Sequence, residues 1–161
     1  MAASAKLAEL GLQLPPVATP AGAYVPALRS AGQVLTSGQL PMVDGALSAT
    51  GKVGAEVSLE QAQQAARVAA LNAVAAAADV AGGIDAITRV VKVVVFVASD
   101  PEFTDQAKVA NGASELLGEL FDGGHVRSAV GVAVLPLGTP VEVELVVEVP
   151  EPVQEPRVFP A

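Results

Sequence analysis

The segment from Ser58 to Gly83 narrows the available folds more than any other part of this chain. Ser58-Leu59-Glu60-Gln61 has the form of a capping box, in which the serine oxygen accepts from an early helical N–H and Gln61 reaches back to the serine N–H. Gly82-Gly83 supply a left-handed stop. The helix bounded in this way, running to about Ala81, carries Ala62, Ala65, Ala66, Ala69, Ala73 and Ala77. A face built of methyl groups keeps the backbone near its neighbour, so this helix is expected to lie close against a sheet. Arg67, Asn72 and Asp79 break the apolar run and exclude it as a membrane span, which needs about 20 apolar residues in succession.

The sheet has several candidate strands. Tyr24–Arg29 and Gln33–Gln39 read as strands, with Asp44-Gly45 as a turn beyond them. Ile87–Val97 is apolar throughout, as a central strand covered on both faces would be. A second helix is expected over about Phe103–Phe121. Residues 127–135 and 141–149 read as two strands of a hairpin, joined by Pro136-Leu137-Gly138-Thr139-Pro140. In the second of these Val141, Val143, Leu145, Val147 and Val149 face one way while Glu142, Glu144 and Glu148 face the other. Ahead of the strands, residues 4–11 read as a short helix capped by Ser4 and stopped by Gly11, followed by an extended Leu14-Pro15-Pro16 linker. Behind them, the prolines of residues 150–161 predict an extended arm or disorder.

With 161 residues, 52% of them hydrophobic, the chain suffices for one domain with one core. Mean hydropathy of +0.50 is high. Even so, the strongest apolar run, Ile87–Ala98, is short and contains Arg89 and Lys92, and the N-terminus lacks a signal-peptide core, so a soluble cytoplasmic protein is expected. A net charge of −8 disfavours nucleic acid, whose phosphates call for Lys and Arg. One Tyr and four Phe make no stacking platform. Without cysteine there are no disulfides and no thiolate chemistry, and a single His cannot supply a multi-histidine metal site.

Against that acidic background Arg127 stands alone, the one Lys or Arg between Lys108 and the tail. Its planar fork suits a carboxylate and stays charged at any working pH. Composition alone favours a strand-end salt bridge to one of the glutamates. Within a straight hairpin Arg127 and Glu142 would stand roughly 25 Å apart, so a pocket containing both requires a strongly bent strand or a second subunit.

Arg127-Ser128 and its valine-rich strand, then Leu135-Pro136 and Val141-Glu142-Val143-Glu144, resemble the Rid/YjgF family of reactive intermediate deaminases. Ala23-Tyr24-Val25-Pro26, Ser37-Gly38-Gln39-Leu40-Pro41 and Val109-Ala110-Asn111 extend the resemblance, which covers residues 19–149 between an N-terminal extension (1–18) and a proline-rich tail (150–161). It implies an α/β, chorismate-mutase-like fold: a mixed sheet with two helices on one face, assembled as a homotrimer with clefts between subunits. The implied activity needs no cofactor or metal. It is hydrolysis of enamines and imines such as 2-aminoacrylate to a 2-keto acid and ammonia. Arg127 would hold the substrate carboxylate, Glu142 would position or activate water, Ser37 and Gly38 would line the reacting end, and Tyr24 and Asn111 would shape the pocket. The implied partners are a small imino, enamine or carboxylate ligand and further copies of the chain, with neither nucleic acid nor membrane. The rival reading is a noncatalytic trimer that binds a small carboxylate in the same cleft. His125-Val126 departs from the Pro-Ala that family members typically carry before Arg-Ser, and His125, following two glycines, is expected to be an exposed bystander.

Overall fold

A computed structural model describes residues 1–20 and 22–151. In chain order the elements are α1 (Ala3–Glu9), β1 (Ala27–Ser30), β2 (Gln33–Thr36), β3 (Met42–Val43), β4 (Ala46–Leu47), α2 (Leu59–Ala81), β5 (Arg89–Ala98), α3 (Gln106–Leu120), β6 (Val126–Val132) and β7 (Val141–Glu148). Five strands form one sheet in the order β1-β2-β7-β5-β6, and β3 and β4 form a separate small hairpin. Asp44 and Gly45 turn that hairpin with φ of 50° and 81°, the left-handed pair that Asp-Gly adopts most readily. The tail expected from residue 150 lies, from 152 onward, outside the described residues.

The capping box of α2 forms as its residues predict: Gln61 N–H donates to Ser58 Oγ at 3.2 Å, and Ser58 N–H donates to Gln61 Oε1 at 2.9 Å. Gly82 ends the helix at φ 90°, its N–H and that of Gly83 both donating to the Ala78 carbonyl. The alanine stripe is buried throughout. The helix lies against α3 as well as the sheet. At their crossing, a Cβ on Gly112 of α3 would strike the Gln63 carbonyl of α2, so glycine there is required by the closeness of two backbones.

In β5 the alternation resolves into two faces. Val93, Val95 and Val97 are fully buried under the helices, whereas Val94 and Phe96 on the other face are only half-buried and Lys92 is exposed. The strand is therefore central and, within one chain, covered on one face only. β7 supplies the matching rows, Val93 opposite Leu145, Val95 opposite Val143 and Val97 opposite Val141. The uncovered face of the sheet carries Leu35, Val94, Phe96, Val130 and Val146, and Leu35 and Val130 are exposed outright.

Beyond the one-sided cover of β5, where both faces were expected to be covered, two further expectations from the sequence need correction. β6 and β7 do not form a hairpin. β6 pairs in parallel with β5, and β7 pairs antiparallel with β5 on its other side and with β2. The reversal at Pro136–Pro140 exists, with Leu137 at φ 60° and Gly138 at φ 72°, but it carries the chain past β5 rather than back along β6. The strand whose inward row is large and fully buried takes the middle; the strand presenting Ala129 and Gly131 takes the edge. The second correction concerns Ser4, which lies inside α1 rather than capping it. Its N–H and hydroxyl both donate to the Asp85 carboxylate, at 2.8 and 2.6 Å, and these bonds hold that carboxyl below its ordinary range. Leu7 of the same helix is buried in the core.

Candidate functional site

Arg127 stands opposite Val93, so the pleat turns it toward the helix-covered side at the free edge of the sheet. Helix α3 meets it there. Val109, Ala110, Ala113, Leu116 and Leu117 of α3 are buried, while Asn111 and Ser114, three residues apart and therefore on one flank, point at the edge strand. Nη1 of Arg127 donates to Asn111 Oδ1 at 2.8 Å and to Ser114 Oγ at 3.1 Å, and Nη2 donates to the Ala107 carbonyl at 3.3 Å. A guanidinium has five N–H groups. Nε–H and one of the two Nη2 hydrogens have no partner among the described residues, and a carboxylate that accepts from Nε and Nη2 together is met side-on by the planar fork. No carboxylate lies within salt-bridge distance of Arg127 among the described residues.

His125 is not exposed as expected. Gly123 and Gly124, with φ of 98° and 67°, turn the chain so that the ring is half-buried against α3, its Nε2 2.9 Å from Ser114 Oγ. Burial and then the charge of Arg127 push its pKa below the ordinary histidine value, which favours the neutral ring. Ser114 gave no sequence signal of its own; the signal available was its i+3 spacing from Asn111.

Glu142 belongs to a second group. It stands opposite Phe96 on the uncovered face, beside Glu144. Gln39 is stitched to Val143 by two backbone bonds, Gln39 N–H to the Val143 carbonyl at 2.7 Å and Val143 N–H to the Gln39 carbonyl at 2.9 Å. That pairing lays Gly38 over the Glu142 side chain, and a Cβ on Gly38 would occupy the space of the carboxylate. Burial, and secondarily the charge of Glu144, push the Glu142 carboxyl above its ordinary pKa. Ser37 uses its hydroxyl to donate to the Val25 carbonyl at 2.6 Å, and its N–H donates to the Pro26 carbonyl at 2.8 Å, fixing the segment that bears Tyr24. The tyrosine, 52% exposed, lines a cavity of about 140 Å³ with Pro26, Gly38, Leu40, Met42 and Leu137.

The site residues foreseen from sequence thus fall into two sets, Arg127 with Asn111, and Glu142 with Gly38, Ser37 and Tyr24. Arg127 and Glu142 lie two strands and three residues apart in register, roughly 14 Å between Cα atoms rather than the hairpin distance, and on opposite faces of the sheet. One chain does not bring them together. Among the described residues no group of three His, Asp or Glu is placed to hold a metal ion, and no helix is long and apolar enough to cross a membrane.

Comparison with known proteins matches residues 4–149 to the family model described as "YjgF/chorismate mutase-like, putative endoribonuclease". The matched span takes in α1. Protein TCP17 of Trypanosoma cruzi is 46% identical over 148 residues, covering 90% of this chain and 92% of its own. Among solved structures, Atu1372 of Agrobacterium tumefaciens, a protein of unknown function, is 41% identical with a TM-score of 0.83 and 92% of each chain covered. TdcF of E. coli with bound serine is 27% identical, with a TM-score of 0.60 over 84% of this chain and 93% of that one.

Proposed function

The chain belongs to the YjgF/Rid family, and from that premise we propose that it hydrolyses 2-imino acids and their enamine tautomers, such as 2-aminoacrylate, to 2-keto acids and ammonia. The observation that carries this reading is the unpartnered Nε–H and Nη2–H edge of Arg127, held in place from behind by Asn111, Ser114 and the Ala107 carbonyl. Such an edge fits the carboxylate of a small 2-amino or 2-imino acid. The serine bound by TdcF is a ligand of that chemical kind.

The second requirement is a group that moves protons. An enamine first takes a proton at C3 and gives one up from its nitrogen, which makes it the imine. Water then adds to C2, and one of its protons passes by way of the Glu142 carboxyl to the imine nitrogen as the C–O bond forms. The second proton follows when the C–N bond breaks, so that ammonia leaves and the carbonyl of the 2-keto acid forms. A carboxyl whose pKa is raised by burial, as that of Glu142 is, accepts and returns a proton more readily than an ordinary carboxylate.

Arg127 and Glu142 work on one substrate if chains assemble. The apolar uncovered face of the sheet, with Leu35, Phe96 and Val130, favours burial against another copy. In a homotrimer the β6 edge of one subunit meets the Gly38–Glu142 region of the next, giving three clefts related by cyclic symmetry.

Turnover of freshly generated 2-aminoacrylate by parent, Arg127→Ala and Glu142→Gln chains tests the reading. Both variants should fall to the spontaneous rate while assembling normally. Random 1:1 co-assembly of the two should restore about one quarter of the parental activity, because one cleft in four receives both intact residues. No restoration would refute the shared cleft. Stabilisation by pyruvate without any turnover by the parent would instead favour the carboxylate-binding reading.

A further inference from the structure

Ser114 and His125 remain after the proposed reaction has taken its residues, and they touch the one group on which it depends. Arg127 Nη1 approaches Ser114 Oγ at 3.1 Å as a donor, so the oxygen accepts there. The hydroxyl hydrogen is then left for another acceptor, and His125 Nε2 lies 2.9 Å from the same oxygen. In the neutral Nδ1–H tautomer of this half-buried ring, Nε2 accepts. The groups make a directed chain: guanidinium to serine oxygen, serine hydrogen to imidazole nitrogen. Asn111 Oδ1 holds the other Nη1 hydrogen from the same helix flank at 2.8 Å.

We propose that Ser114 and His125 are positioning residues for the carboxylate anchor, the imidazole orienting the serine lone pair and the serine fixing the rotation of the Arg127 guanidinium, so that its Nε–H and Nη2–H edge faces the ligand before the ligand arrives. The inference rests on the reading of Arg127 as that anchor. Its physical basis is preorganisation: a free arginine side chain samples many rotamers, and holding it in one beforehand removes part of that entropic cost from binding. Neither residue touches the reacting atoms, so the effect should appear in ligand affinity rather than in the chemical step.

The chain's single histidine gives the test an unambiguous signal. In the ligand-free protein at neutral pH, ¹⁵N NMR should show His125 as the Nδ1–H tautomer, with Nε2 the acceptor. The Nε2–H tautomer would overturn the chain of bonds. Pyruvate affinity by calorimetry and 2-aminoacrylate kinetics provide the second readout. Ser114→Ala should weaken pyruvate binding and raise KM about ten-fold, with kcat within about two-fold of the parent. His125→Ala should move KM the same way by a smaller factor. Ser114→Thr, which keeps the hydroxyl, and His125→Gln, whose amide oxygen can accept from Ser114, should recover most of the loss. Unchanged affinity in Ser114→Ala together with abolished affinity in Arg127→Ala would overturn the positioning role while leaving the anchor intact. Unchanged affinity in Arg127→Ala, or no pyruvate binding by the parent, would overturn the anchor and this inference with it. A fall in kcat at constant KM in Ser114→Ala, with Thr failing to rescue, would also count against positioning.

Discussion

β6 and β7 are both valine-rich, lie within one stretch of the chain, and flank the same strand, yet they do different work. β7 buries Val141, Val143, Leu145 and Val147 between α2 and its two neighbouring strands, none of the four more than 1% exposed. β6 has one neighbour. It turns only Ala129 and Gly131 toward the side where α3 lies, and leaves room beside them for the long side chain of Arg127. A strand's place in the sheet, more than its composition, decides whether its residues hold the fold or serve a site. A functional arginine is tolerable at an edge, where its head can find acceptors on a helix and keep part of its surface in water. In the row occupied by Leu145 the same charge would be buried without a partner.

The largest effect expected from this contrast is on the β7 side. Leu145→Ala should lower folding stability by about 2–5 kcal/mol, the usual range for a fully buried leucine that leaves a cavity; a change below about 1 kcal/mol in chemical denaturation would show that β7 is not the sheet's main support. Next comes Gly38→Ala. A Cβ at that position takes the space of the Glu142 carboxylate, which swings toward the open face rather than unfolding the sheet. Turnover of 2-aminoacrylate should fall at least ten-fold, about 1.4 kcal/mol in the barrier, with the thermal midpoint little altered. Equal activity in that variant would remove Glu142 from the reaction.

Much of the fold was legible because its signals were local. Ser58, Gln61 and Gly82 are read from a few neighbouring residues, and α2 begins and ends where they place it. Asp44-Gly45 acts likewise as a turn. Strand order is not local: nothing in the segment around Pro136–Pro140 shows that β5, from an earlier part of the chain, will insert between β6 and β7, because the pairing is settled by which inward rows fill the space under α2. The site divides along the same line. The family resemblance pointed to Arg127, Asn111, Gly38 and Glu142, but the sharing of Ser114 Oγ between Arg127 and His125 depends on how α3 sits over the sheet edge. A lone histidine after two glycines reads as exposed until that helix is in place.

Glu142 allows a finer comparison with its buried neighbours on β7, because its environment disfavours its charge. Its folded pKa lies above the ordinary value, so the native state binds its proton more tightly than the unfolded chain does. The associated stability is fully present below the unfolded pKa and is lost as pH rises through the folded one. Glu142→Gln does not titrate there. The thermal midpoint of Glu142→Gln relative to the parent should therefore rise with pH from the ordinary carboxylate range through the raised pKa of Glu142 and level off above it, by a few degrees at most. A difference independent of pH would mean that the carboxyl is not desolvated as described.

The smallest effect within one chain should come from Val130→Ala on β6. The side chain is 45% exposed on the uncovered face, opposite Phe96, and an exposed valine contributes little to the stability of its own subunit; the change should stay within about 0.5 kcal/mol. The same residue separates the folding of a chain from the assembly of several. If the uncovered face is buried between copies, losing apolar area there weakens association while leaving each subunit folded, so sedimentation should show dissociation at protein concentrations where the parent remains assembled. An edge strand that matters to assembly and catalysis but not to subunit stability would sharpen the contrast with β7. Equal assembly by Val130→Ala and by the more disruptive Val130→Asp would break it, because the shared cleft requires that face to be covered.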